Sequence, residues 1–205
     1  TGNGTAGHTI PHHLGAKPDL MMVKQRNGTG SWTVYADVNL MGAEKFMELH
    51  NNAAVQDSLV WSDVEPTTSV FAVGNHSDTN TNDATYLAYC WRSIEGYSKI
   101  GSYEGNGDAD GSFIYTGFKP KFVLTKPMEA ASNWHMYDTE RSTSNPVDKK
   151  LSANLPSAEA GPEIDIDILS NGFKTRRVTS ALSNSGEGYL YMAFAETPFK
   201  YTTAR

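Results

Sequence analysis

The sequence is poor in cysteine. Its 205 residues include one, Cys90, so an internal disulfide and a zinc site built from several cysteines are both excluded. The neighbouring residues in YLAYCW are apolar, and we therefore expect a buried thiol with a structural role. The fold must be stabilised by packing rather than by covalent cross-links.

Positive charge is also scarce. Seventeen Lys and Arg oppose 23 Asp and Glu, which gives a formal net charge of -6. Surfaces that bind nucleic acid need clustered basic residues, whereas Lys149–Lys150 and Arg176–Arg177 are isolated pairs, so we expect no nucleic-acid partner. Long apolar runs and a signal-peptide pattern are missing, so no membrane insertion is expected. The abrupt start in a Gly-rich turn suggests a piece of a longer protein.

What the sequence does contain is an internal repeat. Four blocks occur twice in the same order, at a spacing of about 103 residues. This order predicts two copies of one unit with a boundary near Tyr103, so that residues 1–102 form the first copy and residues 103–205 the second. The paired blocks are GNG at 2–4 and 105–107, GAKPDLMMVK at 15–24 and GFKPKFVLTK at 117–126, SWTVYAD at 31–37 and NWHMYD at 133–138, and TYLAYCW at 85–91 and GYLYMAFAE at 188–196.

Both copies have the pattern of an all-β fold. Short stretches rich in Val, Ile, Phe, Tyr and Trp alternate with clusters of Gly, Asn, Asp and Pro, at a spacing typical of sandwiches or barrels. The join EGYSKIGSY, residues 95–103, lacks the composition of a linker, so we expect the copies to pack together or share strands. The prediction is an all-β protein of two tandem, pseudo-repeated β-sandwich units of lectin-like or jelly-roll type, packed together.

Local patterns place individual strands. In EIDIDILS, residues 163–170, Ile alternates with Asp, which predicts a half-buried strand with Asp165 and Asp167 on its solvent side. The SNGF that ends this run predicts a tight hairpin. Residues 41–50 allow a helical turn or a strand, and a strand is favoured. The candidate strands are residues 20–25, 32–36, 70–73, 85–91, 113–115, 122–126, 134–137, 164–169, 173–177 and 189–195.

Metal-ligand patterns are weak. Asn106, Asp108 and Asp110 alternate in GNGDADG as in the oxygen-rich start of a calcium loop. The later bidentate acid is absent and GNGTAG of the first copy lacks both aspartates, so a solvated turn is favoured. The three histidines of HTIPHH have no counterpart in the second copy, and adjacent strand residues point to opposite faces. We predict no metal and no cofactor.

Catalytic patterns are weak as well. The sequence has no nucleophile elbow, no phosphate-binding Gly loop and no zinc-binding helical histidine pair. The carboxylates of Asp165 and Asp167, about 7 Å apart along a strand, resemble the acid pair of a glycosidase. The solvent side of a strand is the preferred interpretation, and we predict a protein that is not an enzyme.

Aromatic residues are the remaining candidates, because planar rings stack on sugars. Trp32 and Trp134 occupy matching positions in the two copies and are expected in the core. Trp61 lies in a loop-like segment without a counterpart, near Asp57 and Asp63. We predict that these three residues bind a ligand. The alternative is that Trp61 covers the sandwich edge or packs against the second copy.

Five blocks, at residues 17–37, 67–74, 85–126, 169–176 and 188–200, resemble a domain of unknown function from virion proteins of tailed, especially marine, bacteriophages. There the domain often lies next to lectin-like sandwich segments. The resemblance implies a location in the virion and a structural or host-recognition role in a tail fibre or adhesion device. The implied partners are other virion proteins, further copies of the chain as in a homotrimer, or a host surface glycan. A polysaccharide-degrading β-sandwich enzyme of the virion is the alternative.

Overall fold

The computed structural model describes residues 1–198, and it consists almost entirely of antiparallel β-sheets. Strands contain 38% of the residues and helices 4%. The strands form where β-branched and aromatic residues cluster, and they end where Gly, Asn, Asp and Pro interrupt these runs. The predicted all-β sandwich class is confirmed.

Contacts divide the chain into two compact units: unit 1, Thr1–Arg92, and unit 2, from Ser93 onward. The sequence placed the boundary between residues 102 and 103. The two divisions differ because the strand Ser98–Glu104 pairs along its whole length with the last strand of unit 2. The proposal that the units are two copies of one fold stays a prediction.

Unit 1 contains seven strands: β1 His8–Pro11, β2 Leu20–Gln25, β3 Trp32–Ala36, β4 Lys45–Glu48, β5 Gln56–Asp57, β6 Val70–Val73 and β7 Tyr86–Trp91. The larger sheet has the order β5-β4-β3-β2-β7, and β1 pairs with β6. A 3₁₀ helix, Leu59–Trp61, and a short helix α1, Ser77–Asn80, lie between strands. No helix within residues 1–198 is long and apolar enough to cross a membrane.

Unit 2 contains eight strands in its described part: β8 Ser98–Glu104, β9 Phe113–Tyr115, β10 Pro120–Pro127, β11 His135–Asp138, β12 Leu151–Ser152, β13 Ile166–Leu169, β14 Gly172–Thr175 and β15 Gly188–Ala195. One sheet has the order β12-β11-β10-β15-β8 and the other β13-β14-β9. The predicted hairpin is confirmed, since Leu169 pairs with Gly172.

Each unit has its own apolar core between its two sheets. In unit 1, Met21 and Tyr35 of the larger sheet pack in one cluster with Phe71 of β6. In unit 2, Tyr137 of β11 and Phe173 of β14 belong to the corresponding cluster. Because side chains alternate along a strand, the even-numbered residues of β2 lie on the opposite face of the unit 1 sheet.

Candidate functional site

Three aromatic side chains form a row on the face of the unit 1 sheet that is opposite its core. The ring centroids of Trp32 on β3 and Tyr89 on β7 are 6.3 Å apart, and their planes differ by 12°. The centroids of Tyr89 and Trp91 are 5.7 Å apart, with planes 23° apart. We call Trp32, Tyr89 and Trp91 the aromatic row.

Strand register brings the row together. On β2, Lys24 is the cross-strand neighbour of Trp32, and Met22 is the neighbour of Tyr89. Lys24 and Met22 are two residues apart, so both aromatic side chains project from the same face of the sheet. The ammonium of Lys24 donates to the Gly30 carbonyl oxygen at 2.6 Å, which places a cation beside the row.

Exposure distinguishes this face from the matching positions of unit 2. Tyr89 is 44% exposed and Leu87 41%, whereas Met192 and Leu190, which align with them in the predicted repeat, are 5% and 2% exposed. The tryptophans expected in the core also differ. Trp134 is fully buried, but its counterpart Trp32 is half-buried and belongs to the row.

Trp61 does not present a ring for stacking. It ends the 3₁₀ helix, is 1% exposed, and packs edge-on against Tyr35 with centroids 6.0 Å apart. Asp57 is exposed at the end of β5, and Asp63 is exposed in a turn with φ of 52°. The structure corrects the interpretation of Trp61 as an exposed binding aromatic: Val60 and Trp61 of the 3₁₀ helix are buried, and Leu59 is its exposed apolar residue.

The calcium candidates lie in an exposed turn that satisfies its own oxygens. Asn106 Oδ1 accepts from the Asp108 N–H at 3.1 Å, and Asp108 Oδ1 accepts from the Asp110 N–H at 2.8 Å. Asp110 Oδ1 lies 2.6 Å from Lys174 Nζ. Within residues 1–198, no three His, Cys, Asp or Glu side chains come together as a metal ion would require.

Asp165 is buried, contrary to the expectation that it lies on the solvent side of a strand. Strand β13 begins only at Ile166, so the alternation does not extend back to this residue. The Asp165 carboxylate accepts a hydrogen bond from Tyr137 Oη at 3.2 Å. It lies 2.9 Å from Lys150 Nζ and 3.5 Å from the Arg177 guanidinium, and these cations compensate its burial.

Asp167 has a different partner, since its carboxylate lies 3.6 Å from Arg176 Nε. Glu163 completes the cluster by bonding to Lys150 and Arg177. Those two bonds lower the pKa of Glu163, so it is a poor proton donor. Glu163 and Asp165 thus share the same two cations in one ion network.

Sequence reasoning missed Tyr89 and Trp91. Both were assigned to a strand, but their spacing of two residues on one face, two strands from Trp32, was not recognised as a surface feature. Tyr89 and Trp91 alternate with smaller residues in YLAYCW, and this alternation could have predicted two aromatic side chains on one face of the strand. Cys90, on the other face, is partly buried, and burial raises the pKa of its thiol to about 11.

Comparison with known proteins gives one match. Residues 1–198 match the family described as Domain of unknown function (DUF7483). No curated protein and no solved structure matches the chain. The family match covers unit 1 and all of the described part of unit 2, so the chain belongs to the DUF7483 family.

Proposed function

We propose that this protein is a noncatalytic recognition module of a bacteriophage virion, in a tail fibre or adhesion device, which binds a host surface glycan through the aromatic row. One observation carries the proposal: three nearly parallel rings, each with its centroid within 6.3 Å of the next, on a partly exposed sheet face. Sugar rings present apolar C–H faces that stack on aromatic planes, and a rigid sheet holds such planes in position before binding.

The geometry favours a glycan chain over a single sugar. The ring centroids are 6.3 and 5.7 Å apart, so different rings can contact different sugar units of one chain. Lys24 supplies a polar group at the edge of the row. Specificity in such sites comes from a few polar groups around an apolar contact area.

The virion location and the partners rest on the sequence resemblance. We propose other virion proteins or further copies of the chain, as in a homotrimer, as protein partners. Light scattering of the purified chain tests the trimer, and co-sedimentation with intact particles tests the location. A chain that stays monomeric at high concentration and separates from the particles would contradict these two proposals.

The binding proposal is tested with Tyr89→Ala and Trp91→Ala in affinity electrophoresis on a panel of bacterial surface polysaccharides. Each substitution removes stacking worth about 1 kcal/mol, so we expect affinity to fall about fivefold to tenfold. Tyr115→Ala is the matched control, because Tyr115 is an exposed aromatic of unit 2 outside the row. Equal loss in all three variants, or none in the first two, would refute the site.

The same panel tests the enzymatic alternative. Release of reducing ends that is abolished by Asp165→Asn or Asp167→Asn, with the fold retained, would replace the proposed recognition role by polysaccharide degradation. We expect no such release, since Glu163 and Asp165 are held by Lys150 and Arg177.

A further inference from the structure

Strand β7 is an unprotected sheet edge. Its residues YLAYCW include no charge and no proline, and its pairing with β2 has no bulge. The other outer strands of the two five-stranded sheets are β5 and β12, of two residues each, and β8, which contains Lys99 and Glu104. Short length and charge are the usual protections of an edge, and β7 has neither.

The outward backbone groups of β7 can be identified from the ladder. The Arg26 N–H donates to the Thr85 carbonyl oxygen next to the β2–β7 pairing. Because alternate residues of an antiparallel strand bond to the same neighbour, Tyr86, Ala88 and Cys90 direct their N–H and C=O groups away from β2. No strand within residues 1–198 pairs with that side of β7.

In unit 2 the corresponding edge is occupied. Strand β15 has at its second and third positions the Tyr–Leu pair with which β7 starts, and β8 pairs with β15 in antiparallel register. Tyr189 lies opposite Tyr103, and Tyr191 lies opposite Gly101. Strand β8 then runs directly into the Gly105–Gly107 turn.

Tyr103 of β8 also fills a slot between the two sheets of unit 2. Its ring stacks on Tyr189 with centroids 4.9 Å apart and meets Phe173 edge-on at 6.0 Å. Its hydroxyl donates to the Leu182 carbonyl oxygen at 3.0 Å. One aromatic side chain therefore closes this end of the unit 2 core.

Unit 1 has a cavity at the aligned place. Its volume is about 120 Å³, and its lining includes Phe71, Thr79, Tyr86 and Ala88. In the predicted repeat Tyr86 and Ala88 align with Tyr189 and Tyr191, whose rings lie beside Tyr103 in unit 2. About half of its lining residues are apolar, and a fully apolar cavity of about 150 Å³ accepts a benzene ring.

We propose that the β7 edge binds an extended polypeptide strand, antiparallel to β7, which inserts an aromatic side chain into this cavity as β8 inserts Tyr103 in unit 2. The partner's residue opposite Ala88 has more room than Gly101 has. A Cβ at Gly101 would lie 2.9 Å from Tyr191 Oη, and Ala88 has no such ring. The preferred partner is thus a strand with an aromatic residue for the cavity. Two positions before that residue, the strand has a side chain of moderate size.

The test uses the whole chain and a capped peptide with the sequence of residues 96–105, GYSKIGSYEG. We expect saturable binding by calorimetry and slower hydrogen exchange at the amides of Tyr86, Ala88 and Cys90. The Tyr103→Ala peptide should bind about tenfold more weakly, because a buried aromatic ring is worth more than 1.4 kcal/mol. A peptide N-methylated at Gly101 should also bind more weakly, whereas a Gly101→Val peptide should bind at least as well.

Absence of binding, or equal binding of the Tyr103→Ala peptide, would overturn the proposal. Protection of β7 amides without peptide, with dimerisation in light scattering, would assign the edge to a second copy instead. As a second measurement, residues 97–103 are fused ahead of Thr1, since β8 enters its own turn from that side. The fusion should raise the melting temperature, and a fusion with Tyr103→Ala in the added segment should not. Equal melting temperatures of the two fusions would also overturn the proposal.

Discussion

In each unit a core tyrosine donates a hydrogen bond to a carboxylate, but the carboxylate is exposed in unit 1 and buried in unit 2. Tyr35 Oη donates to Glu65 at 2.6 Å in unit 1, and Tyr137 Oη donates to Asp165 at 3.2 Å in unit 2. The Glu65 side chain is 52% exposed, but that of Asp165 is 2% exposed. One hydrogen-bonding pattern is therefore combined with a surface ion pair in one unit and with a buried ion network in the other.

Burial determines how much each carboxylate contributes to the stability of the fold. Burial opposes ionisation of Glu65, yet its bonds from Tyr35 and Lys17 outweigh that cost and lower its pKa. Solvent screens such an exposed pair, so its net contribution to stability is small. Asp165 has no access to water, and its charge is compatible with the core only while Lys150 and Arg177 remain beside it.

The two units also differ in the exposure of the sheet face opposite the core. Unit 1 exposes Leu87 and Tyr89, whereas unit 2 buries the aligned Leu190 and Met192. Strands with similar sequences are therefore exposed in one unit and buried in the other. The difference assigns the proposed ligand binding to unit 1 and most of the buried charge to unit 2.

The largest expected effect is a loss of stability when the core residue Trp61 is replaced, which replacement of an aromatic-row residue should not cause. Trp61→Ala should lower the free energy of unfolding by about 3–5 kcal/mol, because it leaves a cavity beside Tyr35. Calorimetric melting of unit 1 measures this loss, with Tyr89→Ala as the exposed control. A Trp61→Ala variant that melts like the parent chain but loses glycan binding would restore Trp61 as the site.

The next effect compares the two carboxylates. Asp165→Asn should cost about 3 kcal/mol, because it removes the buried charge that is paired with the partly buried Lys150. Glu65→Gln keeps an acceptor for Tyr35 at the surface and should cost less than about 1 kcal/mol. Urea denaturation of both variants measures the difference, and equal costs would show that depth does not set the contribution.

The third effect is a pH dependence that arises from a buried histidine of unit 2. Burial, with Lys150 nearby, lowers the pKa of His135 to about 4, and Nδ1 of its ring has no hydrogen-bond partner among residues 1–198. The unfolded chain binds this proton near pH 6.5 and the folded chain only near pH 4. Stability from the neutral imidazole is therefore full above pH 6.5, and about 3 kcal/mol of it is lost as the pH falls to 4.

The control for this titration comes from unit 1, where Thr33 occupies the position matching His135 and is also buried. His135→Thr should flatten the dependence of unfolding free energy on pH between 6.5 and 4, whatever its effect at neutral pH. Chemical denaturation across that range measures the slope. An unchanged slope would mean that His135 titrates normally in the folded chain.

The sequence predicted the strands well where apolar periodicity was clear. The bounds expected for residues 20–25, 32–36 and 70–73 coincide with β2, β3 and β6. It missed β8, because SKIGSYE has mixed polarity and pairs with a strand distant in sequence. Burial of Trp61 and Asp165 was not predictable either, since it depends on where a short helix and a strand start.

The smallest expected effect concerns the two GNG turns, of which only the second carries aspartates. Asp110 is exposed, and its bonds to Lys174 and Arg176 lie in solvent, where lost side-chain entropy and screening offset the attraction. Asp110→Asn should therefore leave the melting temperature unchanged, and added calcium should shift neither protein. Thermal melts with and without calcium measure both. A rise with calcium in the parent chain that disappears in Asp110→Asn would identify an ion site in the second turn and a functional difference between the turns.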